Sequence, residues 1–386
     1  MIDRNEIKEI VEGYYTHADE IKIGTIGSHS GLDICDGAVE EKFRTLAVCQ
    51  AGREKTYSEY FRAQRDLSGK VMRGIVDEAI VFKKFNEILL PENQQKLVNE
   101  NVLFVPNRSF TSYCSIDEIE ENFRVPLVGS RNLLRSEERS EQQSYYWILE
   151  KAGLPFPEKI ESPKDINELV MVKLPHAVKK LERGFFTASS YREYTEKSES
   201  LIKQGVITRE ALENARIERY IIGPVFNFDM FYSPIEPKMS KLELLGIDWR
   251  FETSLMHVRL PAPQQISLAE SQLTPEYTVC GHNSATLRES LLEKVFQMGE
   301  KYVKATQEYY SPGIIGPFCL QTCVDKDLNF YIYDVAPRVG GGTNVHMSVG
   351  HSYGNSLWRR PMSTGRRLAF EIRRALELEK LDAIVT

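Results

Sequence analysis

The stretch "EIKIGTIGSHSGLDICDGAVEEKFRTLAVCQAG" restricts the possible folds more than any other part of the chain. An apolar run, Lys22 to Ile26, reads as a strand and ends in Gly27, Ser28 and His29. Leu32, Cys35, Val39 and Phe43 then recur at helical spacing, and a second strand-like run, Thr45 to Val48, follows. Strand, turn, helix, strand is a βαβ unit, whose natural home is a parallel sheet in an α/β (α+β) protein. Ser30 and Asp33 form an S-x-x-D pattern expected to cap the helix. Ligands of such sheets bind beyond the carboxyl ends of the strands, which is where Ser28 and His29 fall.

A second such edge is the strand Val102 to Val105, which ends in Asn107, Arg108 and Ser109, with Ser115 and Glu118 as a further capping pair. "RSEERSEQQSYYWILEKAGLPFPE" reads as a charged helix stopping at Gly153 and Pro155, and Pro155 to Pro163 as a linker. Beyond it, Val170–Leu174 and Gly184–Ala188 read as paired strands. A helical stretch interrupted at Gly205 follows, then strand-like runs in "RIERYIIGPVFNFDMFYSP" and "KLELLGIDWRFET". A long amphipathic helix, a hairpin turning at Asp325 to Asp327 and a C-terminal helix complete the pattern. A chain of 386 residues suits two or three domains of about 150 residues each.

With a formal net charge of -6, the chain lacks the basic balance of nucleic-acid binders. No run approaches the ~18 apolar residues of a membrane helix, and the N-terminus has no apolar leader core. Six scattered cysteines without a CxxC pair suit reduced core residues in a cytoplasmic protein.

The terminal hairpin concentrates chemistry. Gln321 on its first strand and Asp334 on its second bring hard oxygen donors together, suited to Mg²⁺ or Mn²⁺ held jointly with nucleotide phosphates. Arg338 can neutralise a transferring phosphoryl group, and Gly340 to Gly342 let backbone N–H groups approach an anion. Asn344 follows as a further oxygen donor. A plain hairpin with an acidic turn and a glycine-rich loop would carry the same residues singly. Lys173 at a strand end, Glu218, and Arg250 with Glu252 fit a nucleotide between two sheets, and His29 can donate to an anion or a carbonyl. Walker A and G-x-G-x-x-G patterns are absent, and no zinc or esterase motif occurs.

These residues sit in "TIGSHSGLDICDGA", "VPNRSF", "ELLGIDWRFE", "LRESLLEKVFQMG", "GPFCLQT", "GGGTN" and "STGRRLAFEI". In that order, across most of the chain, they resemble the ATP-grasp ligases of archaeal purine synthesis, in particular the formate-dependent FAICAR synthetases. The resemblance implies a Rossmann-like N-terminal domain over 1–124, a small ATP-grasp lobe over 125–222 and a large lobe with the metal site over 223–386. It implies a homo-oligomer acting on small molecules: formate, ATP and the aminoimidazole ribonucleotide AICAR. By motif match, His29 and Ser109 bind AICAR, Lys173, Glu218 and Glu252 contact ATP, and Gln321 and Asp334 hold the metal. Position and chemistry add Ser28 to the AICAR site, Arg250 to the ATP site, Arg338 beside His29 at the reacting centre, and Asn344 to the metal donors.

The chain departs from the family pattern at four places. The glycine-rich loop after the lysine is replaced by "PHAVKKLERGFF", and the usual metal glutamate is Asp334. "GNIP" becomes "GHNS", putting His282 and Asn283 in the substrate segment, and "RIPAKDQ" becomes "RLPAPQQ". A ligase for a different amine or acid, or a non-catalytic nucleotide-binding subunit, would show changes of the same kind.

Overall fold

The computed structural model describes residues 2–174, 185–238, 241–252 and 279–386. The first part of the chain holds β1 (Lys22–Ile26), β2 (Arg44–Gln50), β3 (Gln64–Arg65), β4 (Val71–Arg73), β5 (Glu78–Phe82) and β6 (Val102–Val105). A parallel four-stranded sheet runs in the order β5-β2-β1-β6, with β3 and β4 as a separate ribbon. The predicted βαβ unit is present, its helix spanning Gly31–Glu40. The chain leaves β1 towards β2 on one side and returns through β6 on the other. The carboxyl ends of β1 and β6 therefore flank the crevice where open parallel sheets bind ligands.

A small three-stranded sheet, β8-β7-β9, joins β7 (Val170–Lys173), β8 (Phe185–Ala188) and β9 (Arg216–Arg219). The antiparallel pairing of β7 with β8 matches the expected hairpin, while its loop, 175–184, lies outside the described residues. Helix Tyr191–Lys203 covers this sheet and ends before Gly205, whose φ of +66° suits a residue without Cβ.

The large sheet, β12-β11-β10-β13-β14, contains β10 (Val225–Tyr232), β11 (Leu242–Glu252), β12 (Val279–Ser284), β13 (Gly316–Val324) and β14 (Phe330–Ala336). Successive strand residues point to opposite faces. Phe228, Met230, Ile247, Phe318, Leu320 and Val335 are fully buried in the core shared with helix Leu292–Tyr309, which contributes Val295, Met298 and Tyr302. At Gly299 a Cβ would lie 2.5 Å from Met230 Cε, so glycine lets the helix seat directly on β10.

Helix Thr364–Glu377 crosses back to the first sheet and packs on helix Gly31–Glu40. The contact runs through two glycines. A Cβ on Gly37 would sit 2.1 Å from the Gly365 carbonyl carbon, and one on Gly365 would sit 1.9 Å from Asp33 O. The first sheet and the large sheet are thereby clamped together, with Arg367 fully buried between Glu243 and Glu371 at 2.8 Å each.

Two local expectations change. Ser30 makes no capping bond; its hydroxyl donates to Gly340 O, and Asn344 Oδ1 takes over the cap by accepting from Asp33 N at 3.1 Å. The charged segment before Tyr145 is a 3-10 turn, Arg131–Glu137, rather than α-helix; the helix begins only at Tyr145 and ends at Lys151. Its charges are spent on tertiary pairs, Arg135 with Glu120 at 2.7 Å and Glu137 with Arg338 at 2.5 Å.

Candidate active site

The second face of the large sheet is polar from edge to edge. Asp334 on β14 is in register with Gln321 on β13, Gln321 with Asn227 on β10, Asn227 with Asp248 on β11, and Asp248 with Ser284 on β12. One unbroken row of oxygen and amide groups thus crosses all five strands. Asn227 donates to Asp248 Oδ1 at 2.9 Å, and Arg250 donates to Gln321 Oε1 at 2.9 Å and to the Tyr333 hydroxyl at 2.8 Å. His282, opposite Arg250, places Nδ1 2.7 Å from Asp248 Oδ1.

The small lobe delivers Lys173 from the end of β7. Its ammonium is buried and pairs with Glu218 of β9, donates to the Tyr146 hydroxyl at 2.9 Å and to Tyr333 O at 3.2 Å. Tyr146 in turn donates to Glu218 at 2.6 Å, and the Arg216 guanidinium lies 3.7 Å from the Tyr146 ring centre. Burial, with Arg139 nearby, pulls the Lys173 ammonium down to about 8 although Glu218 works the other way. A carbonyl on β14, a tyrosine from helix Tyr145–Lys151 and a carboxylate on β9 thus fix the lysine beside Asp334.

The first sheet contributes the opposite wall. Asn107 caps helix Arg108–Tyr113, and its amide donates to Ser28 O at 3.0 Å, tying the loop after β1 to the loop after β6. Ser28 accepts from Arg53 at 3.3 Å, while Ser109 is buried at the start of that helix. His29 has φ +54°, a left-handed backbone uncommon outside glycine, and Asn344 donates to its carbonyl at 3.0 Å. Crowding by the cleft walls, then the Arg338 and Arg108 guanidiniums, push its imidazole down to about 3. The residue keeps an exposed edge, and with burial and the two cations acting the same way the ring is neutral at neutral pH.

Gly340 to Gly342 form the layer between these walls. Their φ values are not left-handed. A Cβ at Gly340 would lie 2.7 Å from Asp229 Oδ1, at Gly341 2.5 Å from His29 Cε1, and at Gly342 2.2 Å from the Asp248 carboxyl carbon. The glycines are needed for thinness, letting His29 and two buried acids approach from opposite sides. Arg338, just before them, is buried; it donates to Glu137 at 2.5 Å and to Val339 O at 2.7 Å, while its Nε has no partner among the described residues. That leaves part of its hydrogen-bonding capacity for an anion.

With this geometry in view, the relatives are informative. Families described as "Domain of unknown function (DUF1297)" and "Protein of unknown function (DUF1246)" match residues 193–386 and 23–160. The chain is 39% identical over 387 residues to the "5-formaminoimidazole-4-carboxamide-1-(beta)-D-ribofuranosyl 5'-monophosphate synthetase" of Methanocaldococcus jannaschii, covering 100% of both chains. It is 38% identical over 386 residues to the protein of the same name from Methanothermobacter thermautotrophicus, covering 100% of this chain and 99% of that one. The chain belongs to this synthetase family. Among solved structures it is similar to the IMP biosynthesis protein PurP from Thermococcus kodakaraensis, with TM-score 0.68, 29% identity, and coverage of 94% of this chain and 100% of that one. An ADP complex of the N5-carboxyaminoimidazole ribonucleotide synthetase purK shares the fold, at TM-score 0.57, 12% identity, and coverage of 89% and 78%. The fold is thus ATP-grasp with a Rossmann-like N-terminal sheet.

The structure brings together Lys173 with Glu218, Arg250 with Gln321, Gln321 with Asp334, and His29 with Arg338. It separates two candidates from the roles the sequence suggested. Asn283 follows His282 on β12, so it points to the opposite face, opposite Trp249, and is exposed there. Asn344 spends its amide on the His29 carbonyl and the Asp33 N–H, and so braces the β1 loop in this structure. The Glu252 side chain lies outside the described residues. Sequence reasoning missed Asn227, Asp229, Asp248, Tyr146 and Arg139. The first two carried a visible signal: polar residues two apart in the aromatic run "VFNFDMF".

Proposed function

We infer that this chain is an ATP-dependent ligase that formylates the 5-amino group of AICAR with formate, giving FAICAR, ADP and phosphate. The observation that carries this reading is the polar row from Asp334 to Ser284, in a chain matched end to end by synthetases named for that product. ATP fits between the small lobe and the large sheet, with Lys173 and Arg250 directed at phosphate charge. Gln321 and Asp334 suit Mg²⁺ or Mn²⁺: they offer hard oxygens side by side. Among the described residues no cluster of three or more His, Cys, Asp or Glu competes for a metal. A bound ion there would neutralise charge on the transferring phosphoryl group.

In this reading a formate oxygen attacks the γ-phosphorus and ADP leaves. The AICAR amino nitrogen then attacks the formyl carbon, and the C–O bond to phosphate breaks. Arg338 stabilises the anionic oxygens, and neutral His29 donates to the formyl or nucleotide oxygens from the first sheet. Residues 1–124 hold AICAR through Ser28, His29 and Ser109, 125–222 close on the nucleotide, and 223–386 supply the reacting face. Turnover with formate carrying heavy oxygen tests the sequence of bonds. One formate oxygen is expected in the released phosphate; phosphate free of label would contradict acyl activation.

A further inference from the structure

Formyl transfer leaves a surplus proton on the attacking nitrogen. In the ligase reading Lys173, Arg250 and Arg338 act as cations, Glu218 pairs with Lys173 and Asp334 is assigned to the metal. Burial, then the Arg338 charge, oppose protonation of the His29 ring.

His282 differs. It stands on β12 on the same face as Asp248, with its side chain 19% exposed, whereas that of Asp248 is 1% exposed. The imidazole therefore bridges a buried carboxylate and the cleft. A carboxylate only accepts hydrogen bonds, so the 2.7 Å contact assigns the hydrogen to Nδ1 and leaves the Nε2 lone pair free to accept. Asn227 fixes the same carboxylate from β10 at 2.9 Å. Behind it lies Asp229, buried beside Asp248 and Cys319. Burial, then the neighbouring Asp248 charge, push the Asp229 carboxyl well above the usual carboxylate range. Among the described residues, Arg250 opposite on β11 and His346 behind Ser284 at 3.2 Å are the other titratable or charged groups near it.

We propose that His282 accepts the proton released by the attacking amino nitrogen, with Asp248 as its positioning residue. The inference rests on the ligase reading. As the nitrogen bonds to the formyl carbon, the carbonyl electron pair moves to oxygen and the N–H proton passes to His282 Nε2. The carbonyl re-forms, the C–O bond to phosphate breaks, and the imidazolium returns its proton to the departing phosphate or to water. His282 lies in the segment "GHNS" on β12 and Asp248 in "GIDWRFE" on the neighbouring strand β11, so the pairing of the two strands brings them together.

The test separates activation from transfer, using the full chain with ATP, Mg²⁺ and formate. Formyl phosphate is trapped with hydroxylamine, which needs no base, and FAICAR formation is followed in parallel at varied AICAR. In His282→Gln, hydroxamate formation should stay within about three-fold of wild type, while kcat for FAICAR falls about 100-fold with little change in the KM for AICAR. Asp248→Asn should depress the same step, and the acid limb of the kcat–pH profile should flatten in both variants. A raised KM with unchanged kcat would reduce His282 to a binding group and overturn the proposal. So would loss of hydroxamate formation in both variants, which marks a structural role. Wild-type protein that yields neither hydroxamate nor FAICAR would instead overturn the ligase reading beneath it.

Discussion

The two faces of the large sheet are built from the same strands, one residue apart, and obey opposite rules. On one, Phe228, Met230, Phe318 and Leu320 interlock with helix Leu292–Tyr309, and every group is buried against carbon. On the other, Asn227, Gln321 and Asp248 stand in register with Asp229 two residues along β10, and the Asp229 and Asp248 carboxyls are buried beside each other with few polar partners among the described residues. Unpartnered buried polar atoms cost stability, about 1–3 kcal/mol each. The apolar face supplies the surplus that tolerates this, and the polar face holds charged groups ready for ligands. Stability and function are thus divided by strand alternation.

The comparison breaks most sharply at Asp334. Asp334→Ala should lower kcat about 1,000-fold while changing unfolding free energy by less than about 1 kcal/mol, read by steady-state assay and denaturant titration. Phe318→Ala is the mirror case. Phe318 is 1% exposed and stacks on Tyr302 at 5.4 Å, so its loss should cost about 3–5 kcal/mol and leave kcat near wild type below the unfolding transition.

Lys173 sharpens the picture through pH. Its folded value of about 8 lies below its ordinary 10.5, so the folded chain sheds that proton first. Its charge therefore costs stability below pH 8, and that cost is relieved as pH rises from there towards the ordinary value. Attraction for ATP moves the other way. The KM for ATP should climb roughly ten-fold per pH unit above about 8, a rise that Lys173→Met should abolish. The smallest effect is at Asn344. Asn344→Ala removes a helix cap and the support of the His29 carbonyl, for a loss of about 1 kcal/mol and a few-fold rise in the AICAR KM. Its Mg²⁺ requirement should be unchanged in titrations, whereas a metal ligand would shift it.

Much of this was legible in the sequence because the signals were local. The βαβ unit, the hairpin of β13 and β14, and the break at Gly205 all follow from periodicity and turn residues. What escaped depended on partners far along the chain. Ser30 looked like a cap because S-x-x-D is a local rule; the actual cap, Asn344, arrives from 311 residues away. "RSEERSEQ" has helical composition, but Arg135 and Glu137 are held by tertiary partners and Arg139 lies 3.9 Å from Asp334, contacts that override it. The polar row depends on the register of β10 with β13, which no single stretch encodes. Asn283 was paired with His282 by adjacency, although adjacency in a strand means opposite faces.

The most direct test of the polar face as the seat of ATP-driven formylation is ADP release by the purified chain with ATP and Mg²⁺, AICAR and formate being omitted in turn. The account predicts sustained ADP release only when both are present, with FAICAR formed in equal amount. ADP release indifferent to AICAR and formate, or no release together with no binding of ATP, would contradict it.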